Sequence, residues 1–143
     1  MLISPVDLQQ ARKDAAERFY AIGMKCLPEG WTYEFRKRLT GVCWPKRKHI
    51  AGPRPVTRKS LYIWLHECAH AHLHGPSCRK TRHVKEYEAE RWAHETMRAN
   101  GVPVPKVMTE RAKAYVARRV AEAERRGTKV IDKQAKAYAE KRK

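Results

Sequence analysis

The stretch Leu61–Gly75 reads LYIWLHECAHAHLHG and contains the pattern His-Glu-x-x-His at His66, Glu67 and His70. Residues four apart lie on one face of a helix, so His66 and His70 can direct ring nitrogens at one metal ion. Zn²⁺ takes such nitrogens at about 2.0–2.1 Å and, in catalytic sites, keeps one position for water. We therefore expect Glu67 to act as a general base that takes a proton from that water.

A catalytic zinc site needs a third protein ligand, and the next helical segment offers glutamates. Glu86 and Glu90 are four residues apart and share a face of that helix. We assign Glu86 as the third ligand and expect Glu90 to accept a hydrogen bond from the other ring nitrogen of a ligand histidine. Glu88 projects from a neighbouring face and is the alternative metal ligand.

Other histidines allow different interpretations of this region. His70, His74 and Cys78 have a spacing that could form a structural zinc site instead. His74 falls at the expected C-terminus of its helix, where a cation is favoured. His49 or His94 could at most donate a hydrogen bond to a reacting oxyanion.

The elements that must position these residues follow from periodicity and capping signals. Ser4 and Pro5 begin a helix that should run to about Lys25, and the segment Thr57–Ser60 caps the His-Glu-x-x-His helix. A further helix is expected over about residues 85–99, another opens at Thr109-Glu110, and Asp132 caps a last one.

A small sheet is expected between the first two helices. Trp31, Tyr33 and Phe35 alternate with polar residues as in a half-buried strand, and residues 42–44 and 49–51 are short enough for two more strands. The sequence therefore predicts an α+β protein, in which a small antiparallel sheet packs on the His-Glu-x-x-His helix and the Glu-bearing helix. Residues 1–108 would form the domain that holds the site, and residues 109–143 a basic helical C-terminal extension.

Charge points to an acidic partner, because the chain has 32 Lys and Arg against 15 Asp and Glu, a formal net charge of +17. Nine basic residues and no acid lie between Arg36 and Lys59. These candidate nucleic-acid contacts are Arg36, Lys37, Arg38, Lys46, Arg47, Lys48, Arg54, Arg58 and Lys59. They leave open a second function, in which zinc only stabilises the fold. The chain would then be a basic module that binds DNA, RNA or another protein.

The four cysteines are scattered without a C-x-x-C pair, which favours free thiols over a zinc ribbon or a disulfide framework. The sequence has no apolar run of membrane-spanning length and no secretory signal pattern. We therefore expect a cytoplasmic protein that does not use a membrane as partner.

The motifs LHECAHAHLHG and KEYEAERWAHE together resemble the ImmA/IrrE family of zinc metallopeptidases, over about Trp31–Pro105. The resemblance implies His66, His70 and Glu86 as zinc ligands and Glu67 as the base. It also implies a minimal zincin-like fold for a metallopeptidase domain of residues 1–108, and a protein or peptide substrate that binds as an added strand. Members of the family are linked to mobile elements and to cleavage of a DNA-binding repressor, but this sequence has no helix-turn-helix pattern, so the repressor role is not carried over.

The chain departs from the family pattern at Glu90, where the family has Asn, and at Trp92, where it has Phe. It also has Arg-Ala-Asn-Gly-Val-Pro at residues 98–103 in place of the family's Leu-Leu-Met-Pro ending. The chain is also similar, more weakly, to basic SprT-type zincins that digest DNA-crosslinked proteins. Their third ligand is a histidine, for which His83 would be the candidate.

Overall fold

The computed structural model describes residues 4–140 and has an α+β architecture, as the sequence predicts. Five helices surround a three-stranded sheet among these residues. In chain order the elements are α1 (Pro5–Lys25), β1 (Thr32–Arg36), β2 (Val42–Trp44), a 3₁₀ turn (Pro45–Arg47), β3 (His49–Pro53), α2 (Arg58–Leu73), α3 (Arg82–Ala99), α4 (Lys106–Arg125) and α5 (Lys133–Glu140).

The sheet is mixed, so the expectation of an antiparallel sheet is wrong. The strand order is β1-β3-β2, with β1 parallel to β3 and β2 antiparallel to it. The loop after β1 crosses the end of β3 before β2 begins, and Lys48, with φ of 50°, closes the turn back into β3. Alternating side chains reveal which face of a strand is buried but carry no information on its direction.

Helix α1 agrees with its predicted bounds and capping. The Ser4 hydroxyl oxygen accepts a hydrogen bond from the Asp7 backbone N–H at 3.1 Å, and Pro5 occupies the first turn. Near its end, Gly23 lets α1 approach the chain closely, because a Cβ there would lie 2.7 Å from Pro55 Cγ. The Trp64 indole N–H donates to the Gly23 carbonyl at 2.9 Å and fixes this contact.

Helix α2 is the central helix of the fold and packs against the sheet on one side and against other helices on the other. A capping box starts it, since the Thr57 hydroxyl accepts from Ser60 N–H at 3.1 Å and the Ser60 hydroxyl accepts from Thr57 N–H at 2.9 Å. One side of α2 packs Trp64 and Cys68 against the sheet, and the other contributes Leu61 to a second buried cluster with α3 and α4. This burial on both sides explains why the helix is apolar almost all round.

Helices α3 and α4 each begin three residues earlier than predicted. Thr81, a residue type that is common at helix starts, is the N-cap of α3, although its hydroxyl contacts the His83 ring at 3.0 Å rather than a backbone N–H. Pro105, in an extended conformation, is the N-cap of α4. It has no backbone N–H to satisfy, which lets the helix begin directly after it.

Helix α4 packs into the same buried cluster as α2 through Met108 and Ala112. Its second half packs Val116 and Val120 against Ala135 of α5. The predicted boundary between residues 108 and 109 therefore falls inside α4, and the division into two domains stays a prediction.

All four cysteines are free thiols, as predicted. Within residues 4–140, no helix combines the length and the apolar character needed to cross a membrane.

Candidate metal centre

Three side chains from α2 and α3 converge at one point. The His66 Nε2 and His70 Nε2 atoms are 3.1 Å apart, and Glu86 Oε2 lies 3.0 Å from the first and 3.3 Å from the second. Among residues 4–140 this is the one group of three His, Cys, Asp or Glu side chains close enough to share an ion. The packing of α3 against α2 creates it, with the small buried residues Ala89 and Ala93 on α3.

The donor set fits zinc. A tetrahedron with metal–ligand bonds of 2.0–2.1 Å has edges of about 3.3 Å, close to the three separations observed. Two imidazole nitrogens and one carboxylate oxygen are ligands that Zn²⁺ accepts, and they leave a fourth position open.

Electrostatics within the cluster favour a cation between the three groups. Burial opposes protonation of His66, but contacts with Glu86 and Glu90 outweigh it and hold the pKa of His66 well above its usual range. Burial likewise opposes ionisation of Glu86, but contacts with His66 and His70 hold the pKa of that carboxyl well below its usual range. Metal binding would release the proton from His66, because a ligand histidine is neutral.

Glu90 lies behind His66, where the sequence predicts it. Its Oε1 atom is 2.9 Å from His66 Nδ1, although the pair is not aligned as a full hydrogen bond. The Tyr62 hydroxyl donates to Glu90 Oε2 and also contacts His94 Nδ1 at 3.0 Å. His94 Nδ1 carries a proton, since it lies 2.8 Å from the Glu90 backbone carbonyl, which can only accept. Glu90 is thus held by a buried tyrosine and a buried histidine.

His74 lies behind His70, a role the sequence interpretation missed. The two Nδ1 atoms are 3.0 Å apart, and His74 Nε2 is 2.8 Å from Glu88 Oε1. Burial lowers the pKa of His74, so the expectation of a cation at this helix end is not met. A neutral His74 accepts from the ring N–H of His70 and donates to Glu88.

The alternative ligands lie elsewhere. Glu88 is paired with His74 and with Lys80 Nζ, at 2.9 Å, and is not brought to His66 and His70. Cys78 does not join His70 and His74 in a second cluster within the described residues. His83 is buried near α5, where its Nε2 accepts from the Asp132 backbone N–H at 3.0 Å.

Glu67 is buried beside the cluster and beneath the loop that joins β1 to β2. An added Cβ on Gly41 would lie 2.7 Å from Glu67 Cγ, so this loop lies directly on the carboxyl group. Burial raises the pKa of Glu67, while His66 and His70 partly oppose the rise. Burial, with the nearby Glu67, also raises the pKa of the Cys43 thiol to about 12, which leaves that thiol protonated and poorly nucleophilic.

Two cavities meet at the cluster and form one cleft. The larger, about 780 Å³, is lined by β2 and by His66, His70 and Glu86, and the smaller, about 380 Å³, lies between α2 and α4. Gly41, His66, Glu67 and Tyr115 line both cavities. Tyr115 belongs to α4, so the segment predicted as a charged extension supplies a wall of the cleft.

The remaining histidines proposed as oxyanion donors do not line either cavity. His49 contacts Thr32 and Glu34, at 2.6 and 2.9 Å. His94 is buried with Tyr62, as described above. The nine predicted nucleic-acid contacts are all exposed, and of these Lys46 and Arg47 line the larger cavity.

Sequence reasoning missed three features of the site: His74, Tyr115 and the close approach of Gly41. His74 had a detectable signal, because it follows His70 by one helical turn. Tyr115 and Gly41 had none, since each reaches the site through tertiary packing. Comparison of the chain with protein-family profiles, curated proteins and solved structures found no match in any of the three.

Proposed function

We propose that this chain is a zinc-dependent metallopeptidase of the zincin-like type, with His66, His70 and Glu86 as ligands and Glu67 as general base. The observation that carries the proposal is the triangle of ligand atoms, with edges of 3.0–3.3 Å, beside a buried glutamate in an open cleft. The resemblance to the ImmA/IrrE family in the two helical motifs supports the same assignment.

His66, His70 and Glu86 would hold the zinc, which when bound would supply a Lewis acid for the scissile carbonyl and lower the pKa of water toward about 7. Glu67 takes the proton from the attacking water and passes it to the leaving amine. The close approach of Gly41 to Glu67 restricts the positions that the carboxyl group can take. Glu90 and His74 orient the two ligand rings through their outer nitrogens.

Tyr115 is the best candidate for a hydrogen-bond donor to the developing oxyanion. Its ring lines both cavities where they meet at Glu67. The Arg119 guanidinium donates to the Tyr115 hydroxyl oxygen at 3.3 Å, which leaves the phenolic proton free for a substrate.

The substrate binds in an extended conformation along β2. This strand is at the edge of the sheet, and Val42, Cys43 and Trp44 line the larger cavity. A free strand edge offers backbone N–H and C=O groups to a peptide of any sequence. Strand addition would bring the peptide backbone past Glu67.

Zinc content and cleavage together test the proposal. We expect one equivalent of zinc in wild type and in Glu67→Gln, and loss of metal in His70→Ala and Glu86→Ala. Glu67→Gln should abolish hydrolysis of denatured proteins and unstructured peptides, measured by mass spectrometry of the products, because the amide cannot take a proton. Glu17→Gln, on the exposed face of α1, is the matched control and should cleave as wild type does.

Two outcomes contradict this assignment. Full cleavage by Glu67→Gln would remove Glu67 as the base. Absence of zinc in wild type refolded with the metal would remove the metallopeptidase proposal altogether.

A zinc-stabilised binding module is the second candidate, with DNA, RNA or a protein as partner. It is favoured by the nine exposed basic residues between Arg36 and Lys59, none of which makes an ion pair with the described residues. Phosphate contacts by these residues would make oligonucleotide affinity fall steeply with salt. An affinity that does not change with salt would remove nucleic acid, including a nucleic-acid-associated substrate, from the account.

A further inference from the structure

Away from the candidate metal centre, the charged residues that line the cleft are all basic. The acidic residues that line the two cavities are Glu67, Glu86 and Glu90, and all three lie at the metal centre. Every other charged side chain of the lining is basic. These six basic residues are Lys46, Arg47, Arg82 and Lys85 in the larger cavity and Arg111 and Arg118 in the smaller.

None of the six makes an ion pair with any residue in the described range 4–140. Arg47 lies over the Trp44 ring at 4.8 Å and Arg118 over the Tyr115 ring at 5.5 Å. Stacking of this kind positions a guanidinium while its N–H donors stay available. Like charges gathered in a concave surface repel one another and attract an anionic ligand.

The basic residues lie on both sides of the catalytic glutamate. Four line the cavity along β2 and two line the cavity beneath α4, and the cavities meet at Gly41, Glu67 and Tyr115. A chain running through the cleft would therefore pass a positive wall, then the metal centre, then a second positive wall.

We propose that the cleft selects an extended peptide with Asp or Glu side chains on both sides of the bond presented to Glu67. This inference rests on the proposed metallopeptidase function and names its substrate class. Carboxylates on the flanking residues would pair with Arg47 and Arg118, whose fork of N–H donors matches a carboxylate.

A peptide fits this charge pattern better than a nucleic acid does. A peptide brings a neutral backbone to the centre and charges only on its flanking side chains. A polynucleotide would bring phosphates to the centre, where the carboxyl groups of Glu67, Glu86 and Glu90 are gathered. Pairing with the edge strand β2 also requires the peptide groups that a nucleic acid lacks.

Binding can be measured separately from hydrolysis. The test uses two fluorescein-labelled 12-residue peptides. One has Asp and Glu on both sides of a central apolar pair, and the other has Asn and Gln at those positions. Each peptide would be titrated with zinc-loaded Glu67→Gln and with metal-free protein. We expect the acidic peptide to bind at least about 10-fold more tightly by fluorescence anisotropy in both forms. Arg47→Glu/Arg118→Glu should remove that preference.

The matched control is Arg12→Glu/Lys13→Glu, which makes the same change of net charge on exposed positions of α1. It should keep the preference, because at physiological salt charges beyond about 8 Å are largely screened. The proposal would be overturned if the two peptides bound with equal affinity. It would also be overturned if the control variant lost the preference for the acidic peptide as fully as Arg47→Glu/Arg118→Glu does. An oligonucleotide that binds more tightly than the acidic peptide, and weakens on the cleft substitutions alone, would assign the cleft to nucleic acid.

Cleavage by wild-type protein separates this proposal from the function on which it rests. Preferred cutting of the acidic peptide would support both. Preferred binding without any cleavage would contradict the peptidase function and retain the cleft specificity. Cleavage without preference for acidic flanks would contradict the specificity alone.

Discussion

At the scale of single residues, the two proposed ligand histidines contact different partners through their outer nitrogens. His66 contacts Glu90, which is itself fixed by Tyr62, whereas His70 contacts His74, which is fixed by Glu88. Such outer contacts set the tautomer and the orientation of a ligand ring. The site is therefore built from more residues than the three whose atoms converge.

His74→Ala should lower zinc affinity by about 10- to 100-fold, because His70 would lose the acceptor that orients its ring. Competition with a chromophoric chelator measures the change. His72→Ala is the control, since His72 is on the same helix but contacts Cys26 and Trp92 instead. Equal zinc affinity in His74→Ala and wild type would show that His74 does not position the ligand.

Gly41→Ala should lower the cleavage rate by about 10- to 100-fold while zinc stays bound. The added Cβ would lie 2.7 Å from Glu67 Cγ and displace the base, and an error of about 1 Å has an effect of this size. The backbone of Gly41 is not left-handed, so the effect comes from space alone. Gly75→Ala is the control within the same cleft, because its added Cβ meets nothing within 4 Å. Unchanged kcat in Gly41→Ala would contradict this account.

At the scale of elements, α2 carries two of the three ligands and both of its sides are buried. Its position depends on the contact with α1, where Gly23, Pro55 and Trp64 meet. A change at this contact should therefore act on stability through packing rather than through helix propensity.

Gly23→Ala should destabilise the protein by about 1–3 kcal/mol, because the new Cβ would lie within 3 Å of two carbons of the rigid Pro55 ring. Helix propensity alone predicts the opposite sign, a gain of about 1 kcal/mol. Urea denaturation gives the free energy of unfolding. Ala21→Gly, at an exposed position of the same helix, is the control, because it changes the free energy of unfolding through helix propensity alone. A stabilised Gly23→Ala protein would contradict the close packing.

At the scale of the whole molecule, α4 of the basic C-terminal part packs against α2 and lines the cleft. Met108 and Ala112 of α4 lie in one buried cluster with Leu61 and Tyr62 of α2, and Tyr115 forms part of the cleft. Hence the stability of the metal-binding region should depend on α4.

Ala112→Asp should lower the free energy of unfolding of the metal-binding region by about 2 kcal/mol or more, because it buries a carboxylate without a partner. All four tryptophans precede residue 109, so their fluorescence follows that region alone. Ala114→Asp, on the exposed face of α4, is the control. An unchanged tryptophan transition in Ala112→Asp would favour the predicted division into two domains.

The sequence by itself determined the features that depend on neighbours along the chain. These include the α+β class, the bounds of α1, the cap of α2 and the shared helical face of His66 and His70. It also gave Glu86 as the side chain that meets them, because the spacing of Glu86 and Glu90 on one helix suits a ligand and its outer support. Periodicity and capping are local, so a single sequence records them.

Only the tertiary structure decided the direction of β1, the partner of His70, the loop over Glu67 and the place of α4 in the cleft. Each depends on groups distant in sequence, such as Gly41 and Glu67 or Tyr115 and His66. No spacing rule links such pairs, because their meeting depends on how α2, α3, α4 and the sheet pack around one core. Helical periodicity in the sequence therefore predicts the proposed metal ligands, whereas the residues that line the proposed substrate cleft follow from tertiary packing.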